Sequence, residues 1–149
     1  MTTPTVQEVA LPVAVQEFLR RIETADWGGM EAHLTPDVLY NASVPGWHYQ
    51  YEGAARVLRE YQEEWSGKYR WNIVERHAVA TGDTVVLDIE MHGEPIRDGI
   101  VPAVCRLANI FRLEGARIAG HRYYCCGEWD PETVRHIAEH APKISGRTA

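Results

Sequence analysis

From Tyr69 onward the apolar residues stop recurring at helical spacing and begin to alternate, and the alternation runs almost to the end of the chain. Four strands follow: Tyr69 to Ala80, Thr84 to His92, Val101 to Leu113 and Arg117 to Cys126. Between them lie Gly82-Asp83, the stretch Gly93 to Gly99, and Glu114-Gly115, all turn chemistry. Short links between consecutive strands impose antiparallel pairing. The second half of the chain is thus a sheet with an apolar face, and the first half has to cover it.

The first half carries helical spacing. Val15, Phe18, Leu19 and Ile22 form one stripe of a helix running from Val13 to about Thr24. Asp26 is placed to cap a second short helix through Met30, Ala32 and Leu34. Val38 to Val44 alternates as a strand, and Pro45-Gly46 turns it into an aromatic loop, Trp47-His48-Tyr49-Gln50-Tyr51. A third helix is expected from Gly53 to Trp65, burying Ala55, Leu58, Tyr61 and Trp65. Asp130 caps a last helix, Pro131 to about His140, with Pro131 at its first position. Residues 1–11 read as a polar leader. The order is that of an α+β fold, and 149 residues make one domain with its core over residues 12–130.

A net charge of -6 offers no broad positive surface to a phosphate backbone, which argues against nucleic acid as a partner. Cys105, Cys125 and Cys126 fit neither a disulfide framework nor a zinc site and are expected to be reduced. No basic leader or long apolar run is present, so the expected location is the cytosol, away from membranes.

Several short segments recur in the order found in one superfamily. They are Ala25-Asp26-Trp27, Leu34-Thr35-Pro36-Asp37-Val38, Glu52-Gly53, Thr81-Gly82-Asp83-Thr84-Val85, and Phe111 to Gly115 running into Arg117 to His121. Together they resemble the SnoaL-like branch of the nuclear transport factor 2-like proteins, over roughly residues 12–130. The resemblance implies a cone: a curved antiparallel sheet covered on its concave face by the N-terminal helices, with a pocket between. It also implies a homodimer, a small hydrophobic ligand and chemistry without cofactor or metal.

Fold alone does not fix activity, so the resemblance is carried residue by residue. His121 stands where polyketide cyclases of this family often carry His, but Tyr123 replaces their following Asp. Asn109 matches the position of an oxyanion-hole acid in ketosteroid isomerases and of a pocket Asn in scytalone dehydratase. Ala42 and Phe18 replace the isomerases' base and phenol donor, which argues against steroid isomerisation. Tyr40 matches a Tyr of limonene epoxide hydrolase, whose Asp-Arg-Asp set is not reproduced.

Period two sends His121, Tyr123 and Cys125 to one side of the last strand, taken as the inside. There His121 would move a proton while Tyr123, Asn109 and Tyr40 hold a developing oxyanion. The alternative is that His121 and Tyr123 only satisfy each other and the backbone. In the central hairpin, Val74, Ala78, Val85, Leu87, Ile89 and Met91 share one face, and Glu75, His77, Asp88, Glu90 and His92 the other. Propensity buries the apolar face. The opposite arrangement would make Asp88, Glu90 and His92 a second proton-transfer set.

Substrate contacts are expected from Phe18, Trp47, His48, Tyr51, Trp65, Leu107, Phe111 and Cys125, with the aromatic loop acting as a lid or as a plug. His136-Ile137-Ala138-Glu139-His140 spells an inverted zinc-peptidase signature, but no Asp, Glu, His or Cys follows it to complete a site. The expected function is a cofactor-independent cyclase, dehydratase or isomerase of secondary metabolism, acting by acid–base catalysis on a hydrophobic oxygenated substrate. The alternatives are a non-catalytic binding protein and an epoxide hydrolase.

Overall fold

The computed structural model describes residues 10–140, so most of the N-terminal leader lies outside it. The elements are α1 (Val13–Thr24), a 3-10 turn (Met30–His33), β1 (Leu34–Val44), β2 (Trp47–Glu52) and α2 (Ala54–Glu60), followed by β3 (Tyr69–Thr81), β4 (Thr84–Pro95), β5 (Ala103–Glu114), β6 (Arg117–Trp129) and α3 (Pro131–His140). The six strands form one curved sheet in the order β2-β1-β6-β5-β4-β3.

The four-strand run has the expected form. β3 and β4 pair down to Thr81 and Thr84 across Gly82-Asp83, and β5 and β6 pair down to Glu114 and Arg117. Both turns open with a glycine at φ 58, a left-handed conformation that a side chain resists. Val85, Leu87, Ile89 and Met91 are buried against the helices, as propensity favours. Val74 is the exception on that face. The register slips between Ile73 and Glu75, which makes Val74 the extra residue of a bulge and leaves it exposed.

Four other expectations are corrected. The sheet is mixed rather than wholly antiparallel, because β1 runs parallel to β6, with Tyr40 opposite His121 and Ala42 opposite Tyr123. The aromatic segment Trp47 to Tyr51 is not a loop but the edge strand β2, paired with β1 from Val44 and Trp47 to Leu39 and Glu52. Asp26 caps no helix. Its carboxylate accepts the Gly28 N–H at 3.0 Å, and the buried Arg21 guanidinium donates to the carbonyl oxygens of Asp26, at 2.9 Å, and Gly28. These bonds hold the chain in a turn before Met30. The third helix is α-helical only to Glu60, and Tyr61–Trp65 widens into a π-helical turn. Its buried side is Ala54, Val57, Glu60, Tyr61 and Trp65, with Ala55 exposed. The last helix starts as expected, with Asp130 accepting the Thr133 N–H at 2.9 Å.

Phe18 is the centre of the core rather than a substrate contact. It is fully buried, and its ring lies within 5.9 Å, centroid to centroid, of Trp27, Tyr61, Trp65, Phe111 and His121. Such a site has no room to collapse once emptied. Phe18→Ala is therefore expected to cost about 3–5 kcal/mol in urea denaturation with little change in slope.

Candidate active site

His121 and Asn109 point to the concave side of the sheet, as the alternation of β5 and β6 requires. Asn109 is paired in register with Tyr123, and Phe111 with His121. The Tyr61 hydroxyl donates to His121 Nδ1 at 2.7 Å, and His121 Nε2–H donates to Asn109 Oδ1 at 2.8 Å. Phe111 stacks on the imidazole at 4.4 Å. Burial disfavours the imidazolium and lowers the His121 pKa to about 3, so the ring is neutral. Both ring nitrogens are engaged, and no solvent reaches them. His121, Asn109, Phe111 and Leu107 belong to a closed, filled half of the cone and line no part of its cavity.

The cavity lies on the other half, with a volume of about 480 Å3. Tyr40 and Tyr123 bound it from the sheet, Tyr49 and Tyr51 from β2, and Trp65 and Trp71 from the π turn and β3. Met91, Cys105 and Cys125 also line it, and Trp47, 68% exposed, stands at the rim. His48 is not part of it; its ring meets Asn41 Oδ1 at 3.0 Å on the exposed side of β2. Of the expected substrate contacts, Tyr51, Trp65, Trp47 and Cys125 line the cavity, while His48, Leu107, Phe111 and Phe18 do not.

Glu60 and Glu64 also line the cavity, together with Glu128 and Lys68, and the sequence reading did not single them out. Glu60 is only 3% exposed. Its Oε1 accepts the Tyr49 hydroxyl at 2.7 Å, and its cationic neighbour Arg56 stays 3.8 Å away, beyond hydrogen-bond reach, with its guanidinium over the Tyr51 ring. Burial outweighs the Tyr49 hydrogen bond and holds the Glu60 pKa above the usual carboxylate range, with Glu64 adding to the rise. The signal for Glu60 was its spacing: Ala54, Val57 and Glu60 fall on one helical stripe with Tyr61 beside it. Trp65 Nε1–H donates to the Tyr40 hydroxyl at 3.2 Å, and the Tyr40 and Tyr49 rings lie 6.3 Å apart, centroid to centroid. Burial raises the pKa of Tyr40, Tyr49 and Tyr123, so all three remain protonated donors near neutrality.

Asp88, Glu90 and His92 are corrected to the outer face of β4. There His92 pairs with Glu90 at 2.9 Å and Arg106 reaches Glu90 at 3.1 Å. The strand buries its apolar neighbours instead, so this set cannot face a guest in the cone. His136 and His140 stack on each other, with His140 Nδ1–H donating to the His136 carbonyl at 2.8 Å. Among the described residues no three His, Cys, Asp or Glu side chains are grouped to hold a metal ion, and no helix is long and apolar enough to cross a membrane.

The SnoaL-like domain matches residues 15–121. The chain belongs to the SnoaL-like family. Among solved structures, similarity extends to a nuclear transport factor 2-like protein from Anabaena variabilis, with TM-score 0.66 and 20% identity over 76% of this chain and 84% of that one. An epoxide hydrolase of limonene epoxide hydrolase type from Mycobacterium tuberculosis gives TM-score 0.60 and 20% identity, over 76% and 80%. A candidate polyketide cyclase from Pseudomonas putida gives 0.62 and 18%, over 76% and 89%. At these identities the likeness concerns the NTF2-like fold. No protein of curated function matches the chain.

The sealed imidazole makes a thermodynamic prediction. His121 titrates near 6.5 when unfolded and about 3 when folded, so its contribution to stability is whole above pH 6.5 and is lost as pH falls toward 3. The stability advantage of the wild type over His121→Gln should shrink by about 2 kcal/mol between pH 7.5 and pH 5. Paired denaturation curves at the two pH values measure it.

Proposed function

We propose that this SnoaL-like protein is a small-molecule enzyme of cyclase, dehydratase or isomerase type, in which Glu60 carries the proton transfer. The observation behind this reading is a carboxyl group, almost wholly buried, in the wall of an aromatic cavity, whose cationic neighbour Arg56 stays 3.8 Å away without a hydrogen bond to it and lies over the Tyr51 ring. A group kept in that state costs stability, which is a common mark of a residue retained for chemistry. The cavity volume suits a small, flat, hydrophobic guest, for which Tyr51, Trp65 and Trp71 supply apolar area.

In this reading Glu60 accepts a proton from the substrate, and the Tyr49 hydroxyl fixes the carboxylate's direction. Tyr40 and Tyr123 offer their hydroxyls to the oxygen on which negative charge develops. Tyr123 and Tyr40 thereby keep the roles expected of them, while the acid–base role moves from His121 to Glu60. Asn109 and His121 act at one remove, holding Tyr61 at the base of the π turn that follows Glu60. Opening an epoxide would use the same groups with water as nucleophile. A homodimer in the cytosol belongs to the same proposal, and light scattering tests the assembly.

A second reading has its own support: a purely ligand-binding protein, favoured by Tyr123 in place of the family's Asp and by the locked His121. Turnover separates the two. A panel of polyketide-like β-ketones and terpenoid epoxides should quench the tryptophan fluorescence of the cavity and, in the catalytic case, yield product. Glu60→Gln is then expected to lower kcat by about 10²–10⁴ with binding retained. In the wild type, kcat/KM should fall as pH drops through the raised Glu60 pKa, because the protonated group cannot act as base. Ionised Glu60 is a stability cost that grows as pH rises, so the melting temperature of Glu60→Gln at pH 7 should equal or exceed that of the wild type. Binding without product across the panel, or full activity in Glu60→Gln, contradicts the assignment.

A further inference from the structure

Two thiols of the cavity wall have no part in this proton chemistry. Cys105 on β5 and Cys125 on β6 both point to the concave side, and their sulfurs are 3.2 Å apart. The strands would not ordinarily bring them together: Cys105 is paired in register with Glu128, and Leu107 with Cys125. A register slip lies between those pairs, with Gly127 at φ 99 in the displaced stretch. The same distortion turns the Gly127 N–H onto Cys125 Sγ at 3.2 Å. The Gly127 amide thus favours negative charge on Cys125 Sγ, while either sulfur can donate the S–H bond between them.

From this geometry we propose that Cys105 and Cys125 form a reversible oxidation site, in which a small hydroperoxide entering the cavity oxidises Cys125 and Cys105 then closes a disulfide with it. The Cys125 thiolate attacks the terminal peroxide oxygen, the O–O bond breaks, and the alkoxide or hydroxide leaving group takes up a proton. Cys125 becomes a sulfenic acid. The Cys105 sulfur, losing its proton, then attacks Cys125 Sγ and expels the sulfenic oxygen as water. Two thiols are oxidised by two electrons, and one peroxide is reduced to water and an alcohol, or to two waters.

Three features support the order of events. The hydrogen bond shared with Cys105 pulls the Cys125 pKa below that of an ordinary thiol, and the Tyr123 hydroxyl and Gly127 amide act in the same sense against burial. Cys105 is held in the opposite direction, chiefly by that same bond and by burial, so it remains a thiol until Cys125 is oxidised. Both sulfurs border the cavity, which gives a hydroperoxide a path to them. The sulfurs need approach by only about 1.2 Å to reach the disulfide bond length of about 2.05 Å. Cys126, next in sequence, points to the outer face and is exposed, with its S–H directed to the Arg106 carbonyl at 3.2 Å. It is an internal control with no partner thiol on its side.

The test is treatment of the full chain with hydrogen peroxide near stoichiometry, alkylation of remaining thiols, and intact-mass and peptide analysis. One Cys105–Cys125 disulfide is expected, with Cys126 alkylated and all three thiols recovered after dithiothreitol. Oxidation should proceed about tenfold faster than that of Cys126. Cys126→Ser should change nothing, whereas Cys105→Ser should leave a Cys125 sulfenic acid that dimedone traps. Three alkylated cysteines after treatment, a bridge that includes Cys126, or equal rates at Cys125 and Cys126 would each overturn the proposal. The wild-type map decides it even if a variant fails to fold, and none of these readouts depends on the role of Glu60.

Discussion

The cluster of rings around Phe18 divides the concave face of the sheet into a filled half and a hollow half. Phe18 comes from α1, Tyr61 and Trp65 from the π turn, and Phe111 and His121 from two neighbouring strands, so one buried side chain ties together both layers. Close packing of rigid rings leaves few ways to rearrange. His121 sits inside this cluster as a polar group that must be satisfied on both nitrogens, and Tyr61 and Asn109 do so. The Asn109 amide nitrogen has no hydrogen-bond partner among the described residues, a residual cost of that arrangement.

The hollow half follows from the same packing. Because Tyr61 is drawn down to His121, the chain just before it presents Glu60 on the cavity side and the chain just after it widens, bringing Trp65 over Tyr40. π-helical turns often occur where a side chain has to be re-aimed for function. Here the turn sets both an indole and a carboxylate against the same space. The parallel pairing of β1 with β6 brings Tyr40 beside His121 and so beside Tyr123, and β2 adds Tyr49 from the edge. Hydroxyls from three strands and one buried carboxylate thus line the same cavity.

Much of this architecture was legible in the residues. The alternation after Tyr69, the glycine turns at Gly82 and Gly115, and the stripe of α1 all carry local signatures. The inward direction of Asn109, His121 and Tyr123 followed from period two once the Phe111 to Gly115 segment set the register. The β1–β6 pairing had no such signature, because parallel strands far apart in sequence leave no local mark. Pro45-Gly46 reads as the start of a loop, yet the alternating aromatics of Trp47 to Tyr51 are good strand formers and pair as β2. Direction toward the inside was also mistaken for access to the cavity. A cone has depth, and period two tells which face a side chain takes but not how deep it lies. Beyond its spacing, Glu60 carries no local mark that separates it from the nearby carboxylates Glu63 and Glu64.

Chemistry at this site requires Glu60 to be a desolvated carboxyl in a space that admits a guest. The most direct measurement is a carbon NMR titration of the Glu60 side-chain carboxyl in the free protein, repeated with a bound cavity ligand. A midpoint above the ordinary glutamate range, moving further when a hydrophobic ligand excludes water, is the predicted result. A midpoint at or below that range, unaffected by ligand, would contradict it.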